Sequence, residues 1–101
     1  MSENLLNLVK IIRDRKKKVV DKSYTSSLLS GGLSKCIEKM EEEFGELKEA
    51  LNEKSNIVNE AADIIYHLLV TLEMADIKFE DVLKELENRK KQSGIEEKNN
   101  R

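Results

Sequence analysis

Two short acidic clusters carry the chemistry in this chain of 101 residues. The first is Glu42-Glu43-Phe44-Gly45-Glu46 and the second is Glu60-Ala61-Ala62-Asp63. On a helix, residues three or four apart share a face. Glu43 therefore neighbours Glu46, Glu42 neighbours Glu46, and Glu60 neighbours Asp63. If the two helices pack antiparallel, the pairs converge on one spot. Carboxylates gathered in this way repel one another unless a cation sits among them. An all-oxygen donor set of this kind suits Mg²⁺ or Mn²⁺ rather than Zn²⁺.

The second pair lies in the stretch from Ile57 to Leu72, which is apolar almost all round. A helix with that pattern is buried. Glu60, Asp63 and His67 fall on one narrow stripe of it. Buried carboxylates are destabilising unless they are paired or bind metal. The competing reading is an ordinary ion-pair network with lysines of the first helix.

The elements that must hold these residues are helical. The chain has no Pro, 4 Gly and 4% aromatic residues, and nothing in it reads as a β-hairpin. Its length suits one small domain with one core. Charged residues make up 38% but nearly cancel to a net charge of −2, so neither nucleic acid nor an anionic membrane is expected as a partner. Glu60, Asp63 and His67 interrupt the longest apolar stretch, which makes it a core helix and not a membrane span. No signal peptide is evident, and a lone Cys36 fits a reducing cytoplasm.

A first helix starts near Ser2, with Leu5, Leu8, Val9 and Ile12 as its apolar stripe. It runs into the charged stretch Arg13-Asp14-Arg15-Lys16-Lys17-Lys18, a solvated face from which Arg13, nearest the stripe, is the candidate to meet substrate phosphates. Ser23-Tyr24-Thr25 opens a short second helix that Gly31-Gly32 ends, and its hydroxyls cap the turn or bind phosphate oxygens. A third helix runs from about Ser34 to Asn52 on the stripe Ile37, Met40, Phe44, Leu47 and Leu51. A short loop to Ser55, the expected cap, makes the third and fourth helices an antiparallel hairpin. The fourth ends near Ala75-Asp76. A last amphipathic helix carries Phe79, Val82, Leu83 and Leu86. The expectation is an all-α domain over residues 1–92, an antiparallel bundle of four to five helices, followed by a polar tail over residues 93–101. Tyr66 and Val70 lie opposite Ile57, Leu68 and Leu72. The fourth helix thus has more apolar surface than so small a bundle can cover, and a second subunit is the expected remedy.

The order Glu-x-x-Glu, a gap, then Glu-x-x-Asp resembles the all-α nucleoside triphosphate pyrophosphohydrolases. Three further stretches narrow the resemblance to phosphoribosyl-ATP pyrophosphatases. They are Ser23-Tyr24-Thr25, Lys39 with Glu42-Glu43 and Glu46, and Glu60-Ala61-Ala62-Asp63-Ile64-Ile65-Tyr66-His67-Leu68-Leu69-Val70. The resemblance covers nearly the whole chain. Phe44-Gly45-Glu46-Leu47 is instead similar to the MazG-like housekeeping members, and Glu41 stands where Gly is usual.

The resemblance implies hydrolysis of 1-(5-phosphoribosyl)-ATP to the AMP form and pyrophosphate, in histidine biosynthesis. It implies Mg²⁺ and a homodimer. On that basis Glu43, Glu46, Glu60 and Asp63 are the metal ligands, and the ion or a spare carboxylate such as Glu42 activates the water. Lys39 and Arg13, with Ser23, Tyr24 and Thr25, are the substrate-binding candidates, and His67 either orients the Asp63 carboxylate or is a satisfied core histidine. Docking with a separate phosphoribosyl-AMP cyclohydrolase is a further partner to expect. The alternatives are a MazG-like housekeeping dNTP pyrophosphohydrolase and a non-catalytic helical dimerisation module.

Overall fold

A computed structural model of the chain describes residues 2–17 and 30–90. Ser23, Tyr24, Thr25, the short helix expected around them and the polar tail lie outside those residues. Four helices occupy the described chain: α1 Ser2–Lys17, α2 Gly32–Glu53, α3 Ile57–Met74 and α4 Phe79–Lys90. No strand occurs among the described residues, so the fold is all-α. None of these helices is long and apolar enough to cross a membrane.

The third expected helix is α2 and the fourth is α3. α2 is rich in Glu, with Lys and Leu, which lose little freedom in a helix. It starts at Gly32, whose φ of 82° is in the left-handed region that glycine enters without strain. It stops at Lys54, where the backbone turns left-handed (φ 57°) and the Lys54 N–H bonds back to the Ala50 carbonyl. Asn56, not Ser55, immediately precedes α3, and it too is left-handed at φ 56°. Three residues thus reverse the chain, and α2 and α3 form the expected antiparallel hairpin. Across it, Thr71 donates to the Cys36 carbonyl at 3.4 Å, and within α3 it donates to the His67 carbonyl at 2.7 Å.

α1 packs on α3 and α4. Val9 and Ile12 from α1, Cys36 from α2, Leu69 and Val70 from α3 and Phe79 from α4 form the buried core. Burial of each large side chain contributes about 1.5–3 kcal/mol. The α3–α4 corner turns at Asp76, left-handed at φ 60°, and the Ile77 N–H bonds back to the Leu72 carbonyl.

One expectation about packing changes. Val70 is fully buried and Tyr66 half-buried, both against the core shared with α1. The surplus apolar surface lies elsewhere. Val58 (84% exposed), Ile65 and Leu68 on α3, with Ile37, Phe44 (64%) and Leu51 on α2, face outward. By helical angle Ile37, Phe44 and Leu51 lie about a third of a turn from the side of α2 that meets α3, and Val58 lies nearly opposite the side of α3 that meets α2.

Candidate metal centre

Glu43 lies in the middle of α2, Glu60 in the first turn of α3, and Asp63 just after it. A carboxylate in a first turn meets unpaired N–H groups and the positive end of the helix dipole, which favours Glu60 there. The hairpin brings one oxygen from each of Glu43, Glu60 and Asp63 to within 4.8 Å of the others. All three side chains are half-buried.

Two oxygens of these residues, Glu43 Oε2 and Glu60 Oε2, are buried without a hydrogen-bond partner among the described residues. Leaving a buried acceptor unsatisfied costs about 1–3 kcal/mol, more when it is charged. Desolvation pushes the Glu43 carboxyl above its ordinary range, Glu46 and Asp63 add to that, and His67 opposes it. Glu60 is also raised, by desolvation and then by Glu46 and Asp63, with the Asn56 amide opposing. Glu46 is exposed, yet it reaches both Glu43 and Glu60 and raises both. Hard oxygen donors, negative charge in excess and two orphaned acceptors are what an oxygen-loving divalent cation requires. The residues fit such an ion.

The sequence-predicted residues divide by place. Glu43, Glu60 and Asp63 come together, with Glu46 beside them. Glu42 is exposed on α2, where Lys39 Nζ approaches its Oε2 at 3.4 Å. His67 is buried, and its Nδ1 donates to the main-chain carbonyl of Asp63 at 2.8 Å. It thus anchors Asp63 through the backbone, where a bond to the carboxylate was expected.

Arg13 goes elsewhere. Its Nη2 is 2.7 Å from Glu73 Oε2 and 3.0 Å from Glu80 Oε1, and its Nε donates to Glu73 Oε1 at 3.0 Å. Glu73 lies ten residues beyond Asp63, about 15 Å along α3. Lys16 joins the same network through Asp76 and the Glu73 carbonyl. These cations of the first helix serve the far end of α3, while the orphaned oxygens of Glu43 and Glu60 have no such partner among the described residues. Sequence reasoning missed Glu73, whose partner is distant in the chain. It also missed Asn56, which donates to Glu60 Oε1 at 3.2 Å and stands four residues before it.

Comparison with known proteins points one way. Residues 5–90 match the family described as phosphoribosyl-ATP pyrophosphohydrolase. The phosphoribosyl-ATP pyrophosphatase of Rhizobium etli is 42% identical over 97% of this chain and 94% of its own length. That of Roseobacter denitrificans is 45% identical over 89% of this chain and 88% of its own length. The histidine biosynthesis bifunctional protein HisIE of Helicobacter hepaticus is 45% identical over 94% of this chain, a stretch that is 42% of its own length.

Proposed function

The chain belongs to the phosphoribosyl-ATP pyrophosphohydrolase family, and from that premise we propose that it hydrolyses 1-(5-phosphoribosyl)-ATP to 1-(5-phosphoribosyl)-AMP and pyrophosphate in histidine biosynthesis. The observation that carries the site assignment is the closed group of Glu43, Glu60 and Asp63 oxygens with its two orphaned acceptors. Glu43, Glu46, Glu60 and Asp63 hold Mg²⁺, with Mn²⁺ as a substitute. Bound there, the ion supplies charge neutralisation at the phosphate oxygens and acidifies a water.

The chain's own residues do the rest. Cleavage falls between the first and second phosphates: a water oxygen bonds to phosphorus as the bond to the departing pyrophosphate breaks. Such displacement needs positioning and charge more than covalent chemistry. Glu42, exposed and beside the cluster on α2, accepts the proton that the water gives up. Lys39, next to Glu42, meets the phosphate charge. His67 ties the backbone at Asp63 and so keeps its carboxylate turned to the group.

The exposed stripes on α2 and α3 support a homodimer, since apolar surface of this kind is buried in assemblies. The bifunctional relative extends well beyond the stretch matched here, which supports docking with a separate phosphoribosyl-AMP cyclohydrolase. Such an enzyme works in the cytoplasm.

Product analysis tests the activity. Purified protein with Mg²⁺ should release pyrophosphate from phosphoribosyl-ATP. A hundredfold preference in kcat/KM for any dNTP in a panel would replace this reading with the MazG-like housekeeping one.

A further inference from the structure

Asn56 occupies an unusual position. Asn is a preferred N-cap because its side chain can accept from the free N–H groups of the first turn. Here Asn56 stands directly before α3 and makes no side-chain cap bond. Its backbone is left-handed, at φ 56° and ψ 24°, a region that Asn tolerates better than most residues. In that conformation the side chain turns toward Glu60. Nδ2 donates to Glu60 Oε1 at 3.2 Å, while the Asn56 carbonyl accepts from the Glu60 N–H at 3.1 Å. Glu60 is therefore gripped at both its side chain and its backbone by one residue. Its other oxygen, Oε2, is the buried orphan.

We infer that Asn56 is a positioning residue for the metal centre: its left-handed turn and amide hold Glu60 Oε1, so that Oε2 is presented to the cation. The inference rests on the proposed cation site. The cap bond given up at the start of α3 is exchanged for a fixed carboxylate. An amide donor suits this role, because it neutralises no charge and so leaves Glu60 a full anionic ligand. Residues that orient metal ligands in this way typically change affinity by about 10–100-fold when removed.

Asn56→Gly tests it. Glycine keeps the left-handed backbone and removes only the amide. Mn²⁺ titration by calorimetry, without substrate, should show the Kd raised about tenfold over wild type, with a metal-free melting temperature no lower. Turnover at saturating Mg²⁺ and substrate should fall in kcat, with KM little changed. A Kd within twofold of wild type would overturn the role of Asn56, since a residue that merely shapes the turn leaves ion affinity unmoved. If wild type binds no Mn²⁺ at all, the cation site itself fails and this inference with it. If wild type binds and the variant binds equally, only the inference fails.

Discussion

Arg13 and Glu73 meet with Nη2 2.7 Å from Oε2, and the same guanidinium reaches Glu80 at 3.0 Å. One side chain of α1 thereby ties the end of α3 to the first turn of α4. Glu73 is only 6% exposed, so removing that partner would leave a buried carboxylate without its base.

Arg13→Met should therefore act on stability. It strands a buried carboxylate, a loss of about 3 kcal/mol, which lowers the melting temperature by about 10 °C or more in a domain of this size. The double variant Arg13→Met, Glu73→Met should recover most of the loss, since a packed apolar pair can replace a buried ion pair. Thermal melts of both variants decide it. A double variant as unstable as the single one would show that the pair's charges are not what matters. Mn²⁺ affinity should stay at the wild-type value in both.

Asp63→Asn should abolish turnover and leave the metal-free protein at least as stable as wild type. Two carboxylates about 5 Å apart repel by roughly 3 kcal/mol at an effective dielectric near 20, and the amide removes that repulsion while keeping the shape. A cation at about 100 times its Kd stabilises wild type by about 2.7 kcal/mol, and the variant should gain much less. Melting curves with EDTA and with Mg²⁺ provide the check. A large drop for the variant in EDTA would mean that Asp63 serves an ion pair instead.

Stability should vary with pH in two opposite ways. Glu43 and Glu60 have carboxyls raised in the folded state, so the folded protein holds protons that the unfolded chain has already lost. Their contribution to metal-free stability falls as pH rises from the ordinary carboxylate range through their folded values. Glu80 is lowered to about 2, chiefly by its hydrogen bond from Arg13. Its contribution is present above the ordinary range and disappears as pH falls from about 4.5 toward about 2. The metal-free melting temperature should peak in mildly acidic solution. Glu43→Gln should flatten the neutral side, and Glu80→Gln the acid side. Added Mg²⁺ should stabilise more as pH rises, because the ion needs ionised ligands.

The protein should run as a dimer at micromolar concentration, held by the exposed apolar residues of α2 and α3, Phe44, Val58, Ile65 and Leu68 among them. Ile65→Glu should shift the mass measured by light scattering to that of a monomer. Wild-type protein already at monomer mass would remove the dimer from this account.

Spacing made much of the site legible. Glu43, Glu60 and Asp63 stood out because carboxylates at helical intervals on an apolar background are costly to keep unless a cation or a base meets them. The short link read at residues 52–55 implied the hairpin. Three features were not legible, for physical reasons. The sense in which α1 covers α3 depends on side-chain fit over the whole core, so Val70 looked surplus while Val58 and Ile65 did not. The destination of Arg13 depends on Glu73 and Glu80, sixty and more residues away, and no local period encodes such a pairing. Ser55 looked like the better cap because propensity says nothing of a backbone turned left-handed twice in three residues.

The confinement of the acid cluster to one hairpin has a consequence in time. Glu43 and Asp63 are only 20 positions apart in the chain, whereas the Arg13–Glu73 tie closes a loop of about sixty. Short loops close at smaller entropic cost, and local contacts form sooner. The α2–α3 hairpin should gain protection first in pulsed hydrogen exchange during refolding, with α1 amides following. A nascent chain would then hold a cation-competent pair of helices before its first helix has found its seat, and Mg²⁺ in the refolding buffer should speed the early phase. Equal rates with Mg²⁺ and with EDTA would show that the ion arrives only after folding is complete.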